Sequence, residues 1–330
     1  MGLLVDGSWQ DRWYDTDASG GRFEREESSF RSWITADGSA GPTGEDGFPA
    51  ARGRYHLYAS YACPWAHRVL IWRALKGLED AIDVSFVHWH MGEEGWTFEP
   101  DDEGIVGDRL GERSRLHALY TDADPGFTGR VTVPALWDTE RGTIVSNESS
   151  EIVRMLDTAF DAHGAASGTL YPEARRDEID ALNERIYETV NNGVYKAGFA
   201  TSQDAHEEAV RPLFDTLDAL GEPLVERLAG QRFLNGDAPL EADWRLFPTL
   251  LRFDLVYHGH FKCNVRRIAD YPHLSGYTRE LYQWPGIRDT VNLEHAKRHY
   301  YGSHESINPT RIVPVGPALD LDAPHGRDGV

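Results

Sequence analysis

The chain of 330 residues is long enough for two domains, and its formal net charge of -21 argues against nucleic acid or an anionic membrane surface as a partner, because both call for a basic patch. Two cysteines, Cys63 and Cys263, are too few for a disulfide scaffold. The opening MGLLVDGSWQDRWYD lacks the basic and apolar parts of a secretory signal, and no apolar run approaches the roughly 18 residues of a membrane span. The expectation is a soluble protein of the reducing cytoplasm. Lysine occurs only at positions 76, 196, 262 and 297, and 54 acidic residues face 33 basic ones, a balance that predicts adaptation to high salt.

Residues 1–53 scatter Trp9, Trp13, Phe23, Phe30 and Trp33 among Gly, Ser and Asp and read as a loop-rich arm. YHLYAS (55–60) predicts a strand, PWAHRVLIWRALKG (64–77) a helix closed by Gly77, and IDVSFVH (82–88) a second strand. Residues 91–130 are polar and glycine-rich. VPALWD (133–138) and TIVS (143–146) predict two further strands, and NESSEIVRMLDTAF (147–160) a helix. The order βαβ then ββα is that of a thioredoxin-like α/β domain over 54–160, in which the first helix starts where ligands gather.

Residues 161–172, DAHGAASGTLYP, read as a linker. Beyond it the period becomes helical, with Ile179, Leu182, Ile186 and Val190 spaced by three or four and similar spacing in 211–228 and 242–257. An all-helical domain over 173–299 is expected, followed by a tail over 300–330.

Cys63 falls between the first strand and the first helix. A free thiol is only a few per cent ionised at neutral pH, whereas the unpaired N–H groups and dipole of a helix N-terminus stabilise a thiolate. Pro64 suits the first turn, where its missing N–H has no intrahelical partner. An arbitrary cysteine is more often a small core residue, but strand, cysteine, proline and helix together favour a nucleophile. Position 66 is alanine, so no second thiol lies in a C-x-x-C pair and the resolving thiol must come from solution.

YACPWAHR (61–68), GWTF (95–98), GRVTVPALWD (129–138), IVSNESSEI (144–152), NNGVYKAGFATSQ (191–203) and GSHESINPTRIVPVGP (302–317) together resemble the glutathionyl-hydroquinone reductases, the Xi class of glutathione transferases. The likeness spans nearly the whole chain. It implies a thioredoxin-like domain followed by the all-helical glutathione-transferase domain, a homodimer, and glutathione as co-substrate. It also implies the reaction: a cysteine thiolate takes the glutathionyl sulfur from a glutathionyl-hydroquinone and is freed by a second glutathione.

By motif, Cys63 is the nucleophile, and Trp96, Arg130, Val133, Glu148 and Ser149 match glutathione-binding positions. A cis Val133–Pro134 bond would turn the valine backbone toward the tripeptide. Glu148 and Ser149, at a helix start, would take the γ-glutamyl group, although singly they read as helix caps. Arg130 offers a cation for a ligand carboxylate and Trp96 a flat surface. The family's tyrosines, which face the cysteine from the helical domain, match Tyr195 and Tyr300 by motif and Tyr257 more weakly. Phenols of this kind hold the ring oxygens and relay a proton.

One departure concerns PLEADWRL (239–246), where Leu240 stands in place of the Ser or Thr of a capping box, leaving Asp243 to favour the helix start by charge. Other readings stay open at this stage. They are a general thiol transferase or dehydroascorbate-type reductase, a conjugating transferase (disfavoured by a cysteine at the active position), and a redox-sensing or ligand-carrying protein. Metal binding at HGHFKC (258–263) or HWH (88–90) lacks a complete ligand set, so no metal is expected. The thiol itself, glutathione or another γ-glutamyl thiol, is undecided, as is the quinone.

Overall fold

The computed structural model describes residues 2–43, 46–221 and 231–329. The chain forms two compact units, one of Met1–Trp13, Glu26–Thr169 and Thr290–His299, the other of Tyr14–Arg25, Leu170–Asp289 and Tyr300–Val330.

The first unit opens with short strands where only loops are expected. β1 (Leu3–Val5) and β2 (Ser8–Gln10) form a hairpin. Its turn, Asp6-Gly7, has φ of 46° and 73°, both in the left-handed region. Asp-Gly between short apolar runs is a hairpin signal in its own right, because type I′ turns need positive φ at both central residues. β3 (Trp33–Thr35) pairs in parallel with β4 (Gly47–Pro49).

The central sheet follows. β5 (Tyr55–Ala59) is buried along its whole length, as a strand between two neighbours should be. α1 (Pro64–Leu75) leads to β6 (Ile82–Phe86), parallel to β5. Gly77 closes α1 at φ 62°, with Leu78 N donating to Arg73 O at 2.8 Å and Gly77 N to Ala74 O at 3.1 Å, the two bonds of a Schellman motif.

α2 (Leu116–Ala123) occupies part of the stretch 91–130 in which no element is expected. Its buried Leu116, Leu119 and Tyr120 have helical spacing, but eight residues inside a polar loop are too short for that period to stand out. β7 (Gly129–Arg130) pairs with β1. β8 (Ala135–Asp138) lies antiparallel to β5, β9 (Thr143–Ser146) antiparallel to β8, and α3 (Ser149–Thr158) completes the layer. The sheet order β6-β5-β8-β9 with one parallel pair is the thioredoxin-like arrangement.

The second unit is helical. α4 (Arg176–Ile186) runs into a π-helical turn, Tyr187–Asn191, and α5 (Gly193–Gly198). α6 (Gln203–Gly221) follows, and residues 222–228 of the helical expectation lie outside the described residues. α7 (Glu241–Arg252) runs into a second π-helical turn, Phe253–Tyr257, and is followed by α8 (Pro272–Tyr282). α9 (Leu293–Ser303) begins in the first unit and ends in the second. On α4 the buried stripe is Ile179, Asn183, Ile186, not Leu182 as the spacing suggests. Asn183 is accommodated because its Nδ2 donates to Glu241 Oε1 at 2.9 Å, an oxygen that Arg245 also reaches at 3.1 Å.

Asp243 does more than lend charge to the start of α7. It accepts from Leu240 N (2.9 Å), Leu234 N (2.9 Å) and Tyr277 Oη (2.6 Å), so the reciprocal arm of a capping box survives without a hydroxyl at position 240. Burial pushes its pKa up to about 6 against the pull of those three donors.

Candidate functional site

Cys63 is the N-cap of α1, with extended backbone (φ -79°, ψ 119°) and Pro64 at the first helical position. Its carbonyl accepts the first intrahelical bond, from His67 N at 3.0 Å. The side chain is half-buried, and Sγ donates to the carbonyl oxygen of Val133 at 3.3 Å. The Val133–Pro134 bond is cis. Cys263, in contrast, is buried in the helical unit with its thiol 3.8 Å from Phe261 O, and burial raises its pKa far above the thiol range. The two cysteines therefore separate by environment: one capping a helix and half-buried, one sealed.

A second helix start lies at α3, which packs against α1. Glu148 is its N-cap. Glu148 Oε1 accepts from Ser150 N (2.9 Å) and Ser150 Oγ (2.8 Å), and Oε2 from Ser28 Oγ (2.9 Å). Burial pushes the carboxyl pKa up, but these donors and the nearby charge of Arg68 outweigh it and hold it below the ordinary glutamate value. Ionised, the group has about four acceptor sites, so Oε2 retains capacity for a further donor. Ser149 is the first residue of α3 and is buried.

Trp96 is buried and stacks on His299, ring centroids 4.7 Å apart at 21°. The imidazole is in turn fixed by Nδ1 contacting Trp89 O at 2.8 Å. Arg130 is buried, its Nε donating to Glu26 Oε1 at 3.3 Å and Nη1 to Arg12 O at 2.6 Å. Its cation is thus engaged by protein groups, whereas Val133 is in direct contact with Cys63.

In the helical unit, Tyr195, Tyr257 and Tyr300 form one hydrogen-bonded group. The Tyr300 hydroxyl meets that of Tyr195 at 2.5 Å and that of Tyr257 at 3.2 Å. Tyr257 is the last residue of the second π turn, and Tyr195 lies four residues past the first. Each π turn inserts one residue and so shifts which side chains face inward, which helical periodicity cannot anticipate. Phe199 and Phe261 pack on Tyr195, and a Cβ at Gly198 would come within 2.1 Å of the Phe261 ring, so only glycine fits there. Tyr300 is sealed from solvent, and burial first, then Tyr195 and Tyr257, drive its pKa well above the ordinary phenol value. Tyr300 therefore remains protonated and can donate.

The histidine motifs have other partners. His260 Nε2 contacts His304 Nδ1 at 3.2 Å, and burial lowers the His260 pKa to about 4. His88 Nδ1 accepts from His90 N at 3.0 Å. Among the described residues no group of three or more His, Cys, Asp or Glu is arranged to hold a metal, and no helix is long and apolar enough to cross a membrane.

Residues 62–159 match the N-terminal domain family of glutathione S-transferases, and residues 203–280 match the C-terminal domain family. Glutathionyl-hydroquinone reductase YqjG of Escherichia coli is 57% identical over 99% of both chains, and its solved glutathione-bound structure superposes with a TM-score of 0.90 over 99% of each. Glutathionyl-hydroquinone reductase PcpF of Sphingobium chlorophenolicum is 58% identical over 97% of this chain and 98% of its own. The chain belongs to the glutathionyl-hydroquinone reductases, the Xi class of glutathione transferases. A Xi-class enzyme of Natrialba magadii is a further solved member, 49% identical with a TM-score of 0.92 over 100% of this chain and 98% of that one.

Membership in the Xi class does not single out every residue around these groups. Ser28 and Arg68, which support Glu148, and Arg25, whose guanidinium lies 4.8 Å from the centroid of the Tyr195 ring, carry no sequence signal of their own. Ser28 and Arg25 come from the irregular N-terminal segment, where no period or cap marks them. Arg68 sits in the middle of α1 and reads simply as a helix residue.

Proposed function

We propose that the chain reduces S-glutathionyl-hydroquinones to free hydroquinones, with glutathione as co-substrate and Cys63 as nucleophile. The observation that carries this reading is a half-exposed thiol at the N-cap of α1, in contact with the Val133 carbonyl of a Val-Pro pair, in a Xi-class chain. The Cys63 thiolate attacks the glutathionyl sulfur. The bond from that sulfur to the aromatic carbon breaks, its electron pair stays with the ring, and the ring carbon takes a proton. Cys63 is left as a mixed disulfide with glutathione, and a second glutathione thiolate attacks the glutathionyl sulfur, releasing glutathione disulfide and restoring the Cys63 thiolate.

The binding roles follow the chemistry of the residues. Glu148, held ionised by its donors, takes the γ-glutamyl ammonium, and the backbone N–H of Ser149 at the start of α3 takes the γ-glutamyl carboxylate. The Val133 backbone pairs with the cysteinyl residue of the tripeptide, Trp96 covers it, and Arg130 lends positive charge. Among the tyrosines Tyr195 is the least buried, so the hydrogen-bonded series runs from Tyr257 through Tyr300 to Tyr195. Tyr195 is the phenol that gives the proton, Tyr300 supports its oxygen, and Tyr257 supports that of Tyr300. The substrate and product are small molecules. The proposal includes no nucleic-acid partner, a homodimeric assembly and a cytoplasmic location, where Cys63 and Cys263 stay as free thiols.

Mass spectrometry after reaction with one equivalent of glutathionyl-menadiol tests the reading. The expected result is a glutathione-sized adduct on Cys63 with stoichiometric release of the quinol, both absent in Cys63→Ala. Quinol release by Cys63→Ala at the parental rate would overturn it.

A further inference from the structure

The N-terminal segment Tyr14–Arg25 belongs to the helical unit and contributes one charge to the tyrosine group. Arg25 lies with its guanidinium carbon 4.8 Å from the centroid of the Tyr195 ring and 5.4 Å from that of Phe23. Its orientation is fixed, since Nε donates to Asn192 Oδ1 at 2.9 Å. Asn192 is itself placed by the first π turn, donating its backbone N–H to Tyr187 O at 2.8 Å. A cation held against one face of a phenol ring, with the hydroxyl of the same ring bonded to Tyr300 at 2.5 Å, is an arrangement that favours negative charge on the phenol oxygen.

We propose that Arg25 is the counter-cation of a Tyr195 phenolate, a positioning residue that stabilises the charge left when Tyr195 gives its proton to the departing hydroquinone. The inference rests on the reading of Tyr195 as the proton donor. The proton goes from the Tyr195 hydroxyl to the ring carbon as the sulfur–carbon bond breaks, the negative charge moves to the Tyr195 oxygen, and solvent returns the proton before the next turnover. While charged, that oxygen accepts from Tyr300, which burial keeps protonated, and the ring above it meets the guanidinium. Two devices thus act on one phenolate: a hydrogen bond at the oxygen and a cation at the ring face. An isolated phenol in an apolar pocket, by contrast, resists ionisation.

The other charged and titratable groups around Tyr195 do not take this place. On its own helix Lys196 is paired with Glu188. From α6, His206 Nδ1 contacts Ala197 O at 2.9 Å, and Glu208 is paired with Arg22. From the second π turn and α9 come the hydroxyls of Tyr257 and Tyr300, and His304 packs edge-on against Tyr300 at 5.3 Å and against Phe199 at 5.1 Å. Arg25 is a cation in ring-face contact with Tyr195.

The test is the single-turnover rate of quinol release from glutathionyl-menadiol as a function of pH, with enzyme in excess. The acid limb of that profile reports the Cys63 thiolate and serves as an internal control, while the alkaline limb reports loss of the proton donor. Arg25→Met keeps an unbranched side chain that can still pack on the ring and removes the charge. It is expected to lower the plateau about tenfold and move the alkaline limb to higher pH, with the acid limb unchanged. Arg25→Lys should recover most of the rate, and Arg25→Met/Tyr195→Phe should be no slower than Tyr195→Phe. A profile for Arg25→Met that superimposes on the parent, or equal losses in Arg25→Met and Arg25→Lys, would overturn the inference. Should Tyr195→Phe itself release quinol at the parental rate, the reading of Tyr195 fails instead, whatever Arg25 does. Arg25→Gln, compared by circular dichroism and by the same profile, covers the case in which the methionine variant does not fold.

Discussion

The residues proposed to hold glutathione and the tyrosine group are built by different means. In the first unit, Cys63 and Glu148 are helix caps, and what they can do is set by their places at helix N-termini and by short-range donors such as Ser150. In the helical unit, Tyr195, Tyr257 and Tyr300 are placed by two π turns and by rings stacked tightly enough that position 198 must be glycine. Backbone termini tolerate change in the surrounding side chains, while a packed polar group depends on every member. The first construction fits the proposed role of reading the same tripeptide each time. The second fits the proposed role of fixing the direction of one proton.

Tyr300→Phe gives the sharpest break between the two. It removes the hydroxyl that links Tyr195 to Tyr257 and leaves both without that partner. A fall in kcat of roughly 100-fold is expected, with the KM for glutathione unchanged and stability lower by about 1–3 kcal/mol for the buried hydroxyls left unmatched. Steady-state kinetics with denaturant titration checks it. Equal effects on kcat and KM would mean that the tyrosines serve binding in general and that the contrast is not real.

Glu148→Gln probes the other side with a smaller expected effect. The amide keeps acceptor capacity for Ser150 N but loses the charge, so the KM for glutathione should rise several-fold with kcat nearly unchanged. About 1 kcal/mol of stability should also be lost at the start of α3. The sign of its pH dependence follows from the lowered pKa in the fold: the contribution is complete above the unfolded-state value and disappears as pH falls through the lowered folded value. In the glutamine variant that acid-side loss of stability should be reduced.

Legibility in the sequence follows the same division. The strand, cysteine, proline and helix around Cys63, the two strands after it and the cap at Glu148 are local patterns, and each is found where the spacing predicts it. The hairpin at Asp6-Gly7 was also within reach of local reading, since the dipeptide itself signals the turn. α2 was harder, because eight residues with three apolar positions do not rise above a polar loop. Periodicity does not foresee the π turns, and the link between Arg25 and Tyr195 starts from an irregular segment that no period marks; on α4, Asn183 takes a buried position in place of Leu182 with its amide paired to Glu241. Tyr195 and Tyr300 stand out only through resemblance to the family, because their hydrogen bond to each other joins residues 105 apart in sequence.

The account depends most on the ionisation of Cys63, and its most direct measurement is the rate of iodoacetamide alkylation of that residue across pH, followed by mass spectrometry. The account predicts a titration midpoint well below the value of about 8.5 for a free thiol, with Cys263 unmodified throughout. A Cys63 that remains protonated beyond about pH 8, or that iodoacetamide does not reach in the folded protein, would contradict it.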